Sequence, residues 1–368
     1  MELMQEFLPE GVRNRWRLSM DRPSGLSRIS RYLPRVLLVV GVMLALAACS
    51  GSDGSDGSTG EAGAAGPAGE AGPAGPAGPA GEVSATDLSC TECHDEGTRI
   101  VSKQAQFHRS QHGSGEAYVR GGSASCAGCH GSEGAEARIE AGLVPRDEAV
   151  EGIINVSPYT CRTCHDIHTT YTEDDFSLTG DSAPAPMGVT ASSFDGGAGN
   201  LCASCHQIRN ELPVAVDGVI EFTTTRFGTH YGVEAQMLLG EGGLMVTGSP
   251  SEHYEKVDDT CVGCHMGENR DHTWVPDVDN CVSCHDDLES FDSRGVQTEI
   301  QELLVEAKAL LVANGIMTEE NRSIPGAYPE EVVSSMWNFM FVYSDSSDGV
   351  HNPDYAKALL EYVIENLG

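Results

Sequence analysis

The sequence predicts a mostly α-helical fold with extensive loops, little β-sheet and a helical C-terminal segment. Six short cysteine–histidine turns recur between residues 90 and 285, each a seed for a short helix, and the chain between them is rich in Gly, Ser and Asp. Aromatic residues make up only 6% of 368, thin for a chain of this length that must build a core from its own side chains. Beyond the last of these turns the cysteines stop and apolar residues take up helical spacing.

Composition narrows the function classes. Lys and Arg number 22 against 55 Asp and Glu, a net charge of −33. A nucleic-acid binder needs a basic face for the phosphates, so that class is excluded. Thirteen cysteines are too many for an ordinary cytosolic enzyme, and an odd count argues against a simple disulfide framework.

Residues 1–48 read as a lipoprotein signal peptide. Residues 36–48 form an apolar run of 13 without charge, the length of a signal-peptide core and short for a bilayer span. Arg13, Arg15, Arg17, Arg22, Arg28, Arg31 and Arg35 supply the positive region before it, and Met20 is a second place where translation could start. The run ends Leu46-Ala47-Ala48-Cys49-Ser50, which resembles a bacterial lipobox. The resemblance implies that Cys49 is acylated and becomes the first mature residue; the other reading is a plain signal peptide with a chance cysteine after it. Ser50, where enterobacterial lipoproteins retained at the inner membrane carry Asp, implies an outer-membrane destination.

Residues 49–83 join that cysteine to a collagen-like spacer. Gly stands at every third position from Gly51 to Gly81, with Pro67, Pro73, Pro76 and Pro79 each following a Gly and preceding an Ala. Strict Gly periodicity with proline is the pattern of a collagen triple helix, in which only Gly fits the axis. A disordered Gly/Ala/Pro tether has the same composition. Two readings therefore stay open: a single-chain spacer and a homotrimeric stalk. Extended at about 3.1 Å per residue, either reaches on the order of 100 Å.

The other twelve cysteines fall into one pattern, C-x-x-C-H, over residues 84–290. The first copy is Cys90 and Cys93 with His94, the second Cys126 and Cys129 with His130, and the third Cys161 and Cys164 with His165. The fourth is Cys202 and Cys205 with His206, the fifth Cys261 and Cys264 with His265, and the sixth Cys281 and Cys284 with His285. This is the attachment signature of c-type haem. Two thiols three residues apart on one turn can form thioethers with the two vinyl groups of one porphyrin, and the adjacent His becomes the proximal iron ligand. A zinc half-site or a redox dithiol shares one copy of the pattern. Six copies on an exported chain, using every cysteine but Cys49, point to six covalent haem c groups. The macrocycles would then form much of the apolar core, with a short helix at each attachment site.

Seven histidines lie outside the motifs: His108, His112, His168, His230, His253, His272 and His351. Six haems each needing a second axial ligand nearly match that count. The settings Ser110-Gln111-His112, Cys164-His165-Asp166-Ile167-His168, Gly228-Thr229-His230-Tyr231-Gly232, Ser251-Glu252-His253 and Asp271-His272-Thr273-Trp274 resemble those of distal ligands in the family of pentahaem nitrite reductase and octahaem cytochromes. That resemblance makes His112, His168, His230, His253 and His272 candidate distal ligands. His108 and His112, four apart, are expected on one helix face, with His112 the ligand and His108 spare or alternative. Met266 abuts His265 and is read as packing. Bis-His ligation implies low potentials, since a Met ligand would raise them.

Residues 291–368 read as a helical cap of the same domain. Ile300, Leu303, Leu304, Ala307, Leu310 and Leu311 follow helical spacing up to Gly315, Pro329-Glu330-Glu331 opens a second helix, and Asn352-Pro353 opens a third. The Gly349-Val350-His351-Asn352-Pro353 turn is similar to the tails of several multihaem cytochromes, in which that His reaches back to an iron; His351 is thereby a sixth candidate distal ligand.

These readings lead to electron transfer at the outer membrane or cell surface, in respiratory extracellular electron transfer. The alternatives are a multihaem reductase of nitrite, hydroxylamine or a sulfur oxyanion, and a filament-forming cytochrome. A reductase needs one open iron. The nitrite reductase family marks its active haem by Lys in place of the motif His, and no C-x-x-C-K occurs here. No catalytic residue is therefore assigned. Expected partners are other c-type cytochromes or a porin–cytochrome conduit, extracellular or periplasmic acceptors, and the membrane through the lipid anchor. The acidic surface should steer cationic or metal-loaded partners inward.

Overall fold

The computed structural model describes residues 99–145, 156–179 and 183–368, all within one compact unit, Ala80–Gly368. The signal peptide, Cys49 and the Gly-repeat spacer lie outside the described residues. So does the whole first motif: Cys90, Cys93 and His94 are not placed, and a haem site there stays an expectation from sequence. Among the described residues no helix is long and apolar enough to cross a membrane.

The fold is mostly α with long connecting loops, and its helices come in two kinds. The N-terminal half holds short ones: α1 (Arg99–Phe107), α2 (Gln111–Ser114), α3 (Ala124–His130), α4 (Ser132–Glu140), α5 (Gly199–Cys205), α6 (Glu234–Leu239), α7 (Glu252–Lys256) and α8 (Cys261–His265). Three of them, α3, α5 and α8, coincide with the second, fourth and fifth C-x-x-C-H motifs.

The other two described motifs depart from the expected helix. The third begins as a 3-10 turn, Cys161–Thr163. In the sixth, Cys281 ends the 3-10 turn Val278–Asn280, and Cys284 sits in a plain turn closed by bonds from Cys284 N and His285 N to Cys281 O at 3.1 and 2.9 Å. Asp286 and Asp287 follow at once, the latter left-handed (φ +60°), and no apolar face extends the turn into a helix. Cys284, like Cys161, is consequently exposed rather than set in a core. A single turn still suffices to bring two thiols three residues apart to one side.

His108 and His112 do not share a helix, contrary to the expectation from their spacing. α1 stops at Phe107, and α2 begins after Ser110, whose extended backbone breaks the run and whose Oγ accepts from Gly113 N at 3.0 Å. The Ser cap competes with helix continuation. A side chain at position 113 would also meet the Phe107 carbonyl, since a Cβ there falls 2.1 Å from Phe107 O.

The C-terminal segment is a three-helix pack: α9 (Val296–Ala313), α10 (Glu330–Asp345) and α11 (Pro353–Leu367). α9 ends at Asn314, with Gly315 in the left-handed position behind it (φ +69°). Ile300, Ala307 and Leu311 of α9 bury against Val333, Trp337 and Phe341 of α10 and Leu359, Leu360 and Val363 of α11. Each of the Val, Leu, Ile and Phe side chains among them contributes about 1.5–3 kcal/mol on burial. Ile208, Val233 and Met237 from the motif-bearing half join the same cluster, so the cap and the motif region share one core.

Sheet is limited to two antiparallel pairs among the described residues: β1 (Ala185–Pro186) with β2 (Ser193–Phe194), and β3 (Val219–Phe222) with β4 (Gly326–Pro329). The second pair runs in register Val219↔Pro329 to Phe222↔Gly326, tying the middle of the chain to the start of α10. Between residues 99 and 179 the buried apolar side chains are only Ala127 and Ala135 among the described residues. The described residues of that stretch, with two motifs, bury too little apolar side-chain volume to form a core by themselves.

Candidate haem sites

Each of the five described motif histidines faces one of the candidate distal histidines. Ring centres are 6.1 Å apart for His130–His230, 6.1 Å for His165–His272 and 6.1 Å for His206–His112. They are 6.3 Å apart for His265–His351 and 6.0 Å for His285–His253. Two imidazoles sharing one iron, with metal–nitrogen bonds of about 2 Å and about 1.1 Å from nitrogen to ring centre, would stand roughly 6.2 Å apart. The five spacings match that arrangement.

The second nitrogen of most of these rings is already engaged. Nδ1 donates to a backbone carbonyl in His165 (Phe176 O, 2.8 Å), His230 (Tyr231 O, 2.9 Å), His253 (Val350 O, 2.7 Å), His265 (Trp274 O, 3.0 Å) and His272 (Arg270 O, 2.7 Å). In His206 and His351 it meets a carboxylate, Glu234 Oε2 at 3.1 Å and Asp345 Oδ1 at 2.7 Å. Such bonds fix the tautomer and aim Nε2 at a metal. His130 Nδ1 is buried without a hydrogen-bond partner among the described residues.

Local backbone explains how loops hold these rings. His230 has φ +72°, a left-handed conformation set between Gly228 (φ +141°) and Gly232 (φ +82°). Asn352 places His351: its Nδ2 donates to Met237 O at 3.0 Å and Ser249 O at 2.9 Å, while its Oδ1 caps α11 at Tyr355 N. The His-Asn-Pro turn is thus nailed to the motif-bearing half before α11 begins.

Charge differs from pair to pair. Burial and the facing His206 lower the His112 imidazole to about 4. The Glu234 carboxylate, against burial, raises His206 to about 9. Burial depresses His351, yet Asp345 outweighs it and carries the ring up to about 9.

None of the ten described motif cysteines is paired in a disulfide. The thiols of Cys129 and Cys205, from the second and fourth motifs, lie beside one another, as do those of Cys202 and Cys261, from the fourth and fifth. The neighbouring Cys205, together with burial, pushes the Cys129 thiol well up. The fourth motif therefore adjoins two others. The sixth adjoins the fifth: Asn280, just before Cys281, donates through Nδ2 to Cys264 O at 3.0 Å, while Cys284 is exposed and accepts from Ser283 Oγ at 3.8 Å.

The residues fit haem c at five positions: a paired thiol turn, a motif imidazole and a facing imidazole at bis-axial distance. At the sixth motif the fit rests on Cys281, Cys284 and the His285–His253 pair, with the thiol side open to solvent. Cys93 and His94 of the first motif have no described position, so nothing is placed opposite them. His168, with φ +63°, stacks on Tyr171 at 5.6 Å, and its N–H donates to Asp175 Oδ2 at 2.7 Å. His108 lies edge-on to Phe107 at 5.7 Å. Met266 follows α8 as its C-terminal cap.

Several residues of the sites carry no sequence signal of their own. Trp274 lies 4.9 Å from His112 and 5.5 Å from His272, so one indole buttresses two pairs. Tyr159 packs edge-on against His112 at 5.8 Å, and its hydroxyl donates to Cys129 O. Glu234, Asp345 and Arg138 are further such residues. The setting Asp271-His272-Thr273-Trp274 is the one hint the sequence offered for Trp274.

Comparison with known proteins adds a structural likeness. No protein-family model matches the chain, and no curated protein matches it. Among solved structures it is similar to the outer cell wall cytochrome OcwA, with TM-score 0.48 and 21% identity over 72% of this chain. The chain spans 50% of that protein's length.

Proposed function

We propose that the chain is a multihaem c-type cytochrome that relays electrons through six covalently bound haems and catalyses no reaction of its own. The observation that carries this reading is the set of five His–His pairs at 6.0–6.3 Å, one for every described C-x-x-C-H motif. The thiol pairs of the second to sixth motifs, Cys126 with Cys129 through Cys281 with Cys284, would hold five haems. Cys90 and Cys93 would hold the sixth, between His94 and His168 or His108. Bound haem supplies a one-electron iron couple at each site. With a haem bound, the paired imidazoles would hold its iron from both sides and would leave no place for a substrate. The Nδ1 hydrogen bonds hold the rings still, so little reorganisation accompanies a change of charge. The exposed thiols Cys161 and Cys284 make the third and sixth sites the natural points of electron entry or exit.

Location and partners follow from the segments before residue 84. An acylated Cys49 and the Gly-X-Y spacer would hold this domain away from the outer membrane, on the cell surface, as one chain or a homotrimer. There it would exchange electrons with other c-type cytochromes, a porin–cytochrome conduit or external acceptors. The net charge of −33 favours cationic partners.

Low-temperature EPR of the oxidised mature protein tests the reading. Six low-spin ferric signals without a high-spin component are expected. One high-spin iron would overturn it in favour of a reductase, to be assayed with nitrite, hydroxylamine and tetrathionate.

A further inference from the structure

Arg138 is a buried cation with no carboxylate partner among the described residues. Its side chain, only 2% exposed, leaves α4 and crosses the turn of the second motif. Nε donates to Gly128 O at 2.8 Å, Nη1 to Leu143 O at 2.9 Å, and Nη2 to Ser204 Oγ at 3.4 Å and Cys205 Sγ at 3.1 Å. Gly128 and Cys205 belong to different motifs, the second and the fourth. A Cβ at position 128 would fall 2.8 Å from Arg138 Cδ, so the glycine leaves the space the side chain crosses. α4 reaches this position because Gly134 lets it lie on α3; a Cβ there would sit 2.3 Å from Ala127 O. The guanidinium thus lies between two attachment turns whose thiols, Cys129 and Cys205, touch.

Burying a charge is costly unless something compensates it, and four neutral acceptors compensate only part. A fixed positive charge in a dry site stabilises whichever neighbouring redox state carries one more electron. We propose that Arg138 is a positioning residue that clamps the second and fourth haem sites against one another and raises the reduction potential of both. The inference rests on the relay reading above. It biases electrons toward the second and fourth sites, against the opposing pull of Glu234 at the fourth, which adjoins the fifth where Cys202 lies beside Cys261.

The test uses the full mature protein with its haems and compares the parent with Arg138→Met and Arg138→Lys. Haem content by mass and pyridine haemochrome comes first. A parent without covalent haem would overturn the relay reading itself, and this inference with it. With six haems present, spectroelectrochemical titration should show two of the six one-electron steps moving to lower potential in Arg138→Met. The expected size is about tenfold in the ferrous:ferric ratio, or 59 mV. Arg138→Lys, which keeps the charge, should move them less. Unchanged steps in Arg138→Met would overturn the proposal, as would a Lys variant that falls as far as Met, which would mark the role as packing alone. Should Arg138→Met fail to load its haems, Gly128→Ala displaces the side chain while keeping its charge. It should lower the same two steps, and no movement there would equally overturn the proposal.

Discussion

The carboxylate of Glu234 stands 3.1 Å from Nδ1 of His206, the one motif histidine with an acidic side chain behind it among the described residues. A carboxylate at that nitrogen makes the ring a stronger donor through Nε2 and favours the ferric state of an iron bound there. Glu234→Gln keeps the shape and a hydrogen-bonding group but removes the charge. One step of the redox titration should rise, opposite in sign to the effect expected at Arg138. Movement of several steps, or of none, would count against a local role.

His351 and Asp345 form the second such dyad, on the distal side of the fifth site. Asp345 has a side chain 1% exposed and accepts from His351 Nδ1 at 2.7 Å. His351→Ala should convert one low-spin EPR signal to high spin and strand a buried carboxylate. The stability cost should be about 1–3 kcal/mol. Added imidazole should restore the low-spin signal without restoring the stability.

The helical cap offers a prediction independent of any cofactor. Phe341 is fully buried and meets Tyr355 edge-on at 6.1 Å, joining α10 to α11. Phe341→Ala leaves a cavity at that junction and should cost about 3–5 kcal/mol. Circular dichroism under denaturant measures it. Because Asn352 and His351 hang from the same junction, the fifth site should loosen along with the cap.

Asp175 gives a pH dependence. Burial works against its charge, yet donors from Thr170, His168 and Tyr171 hold its carboxyl below the ordinary value. A depressed carboxyl contributes stability that is present above its unfolded pKa and is lost as pH falls through the lower folded one. Asp175→Asn should remove that acid-side loss and weaken the His168 loop already at neutral pH. Acid unfolding followed by far-UV signal, with hydrogen exchange at residues 168–172, checks both.

What could be read from the sequence was local. Two cysteines and a histidine within one helical turn declare their chemistry without reference to the rest of the chain. Whether that turn grows into a helix is not local: it does at Cys202, and it does not at Cys284, where aspartates follow and nothing packs. α9 to α11 are legible because each repeats its apolar spacing over 15 residues or more. Pairing is hidden as well. That His112 meets His206, while His108 stands elsewhere, depends on Ser110 ending one helix and on where α5 lies. Glu234, Asp345 and Arg138 are ordinary charged residues in sequence, distinguished only by what the fold puts beside them.

The five pairs also overlap along the chain. The spans 112–206, 130–230 and 165–272 begin one inside another and end in the same order. Each closes a loop of roughly 100 residues, and the freedom that such a closure removes from an unfolded chain grows with loop length. Interleaved in this way, no site can be finished until segments belonging to the next are in hand. Maturation must then be collective rather than bead by bead, and a truncated chain would lose several sites at once. Lineages carrying such a protein would find it easier to alter a ligand's surroundings than to add or drop a haem.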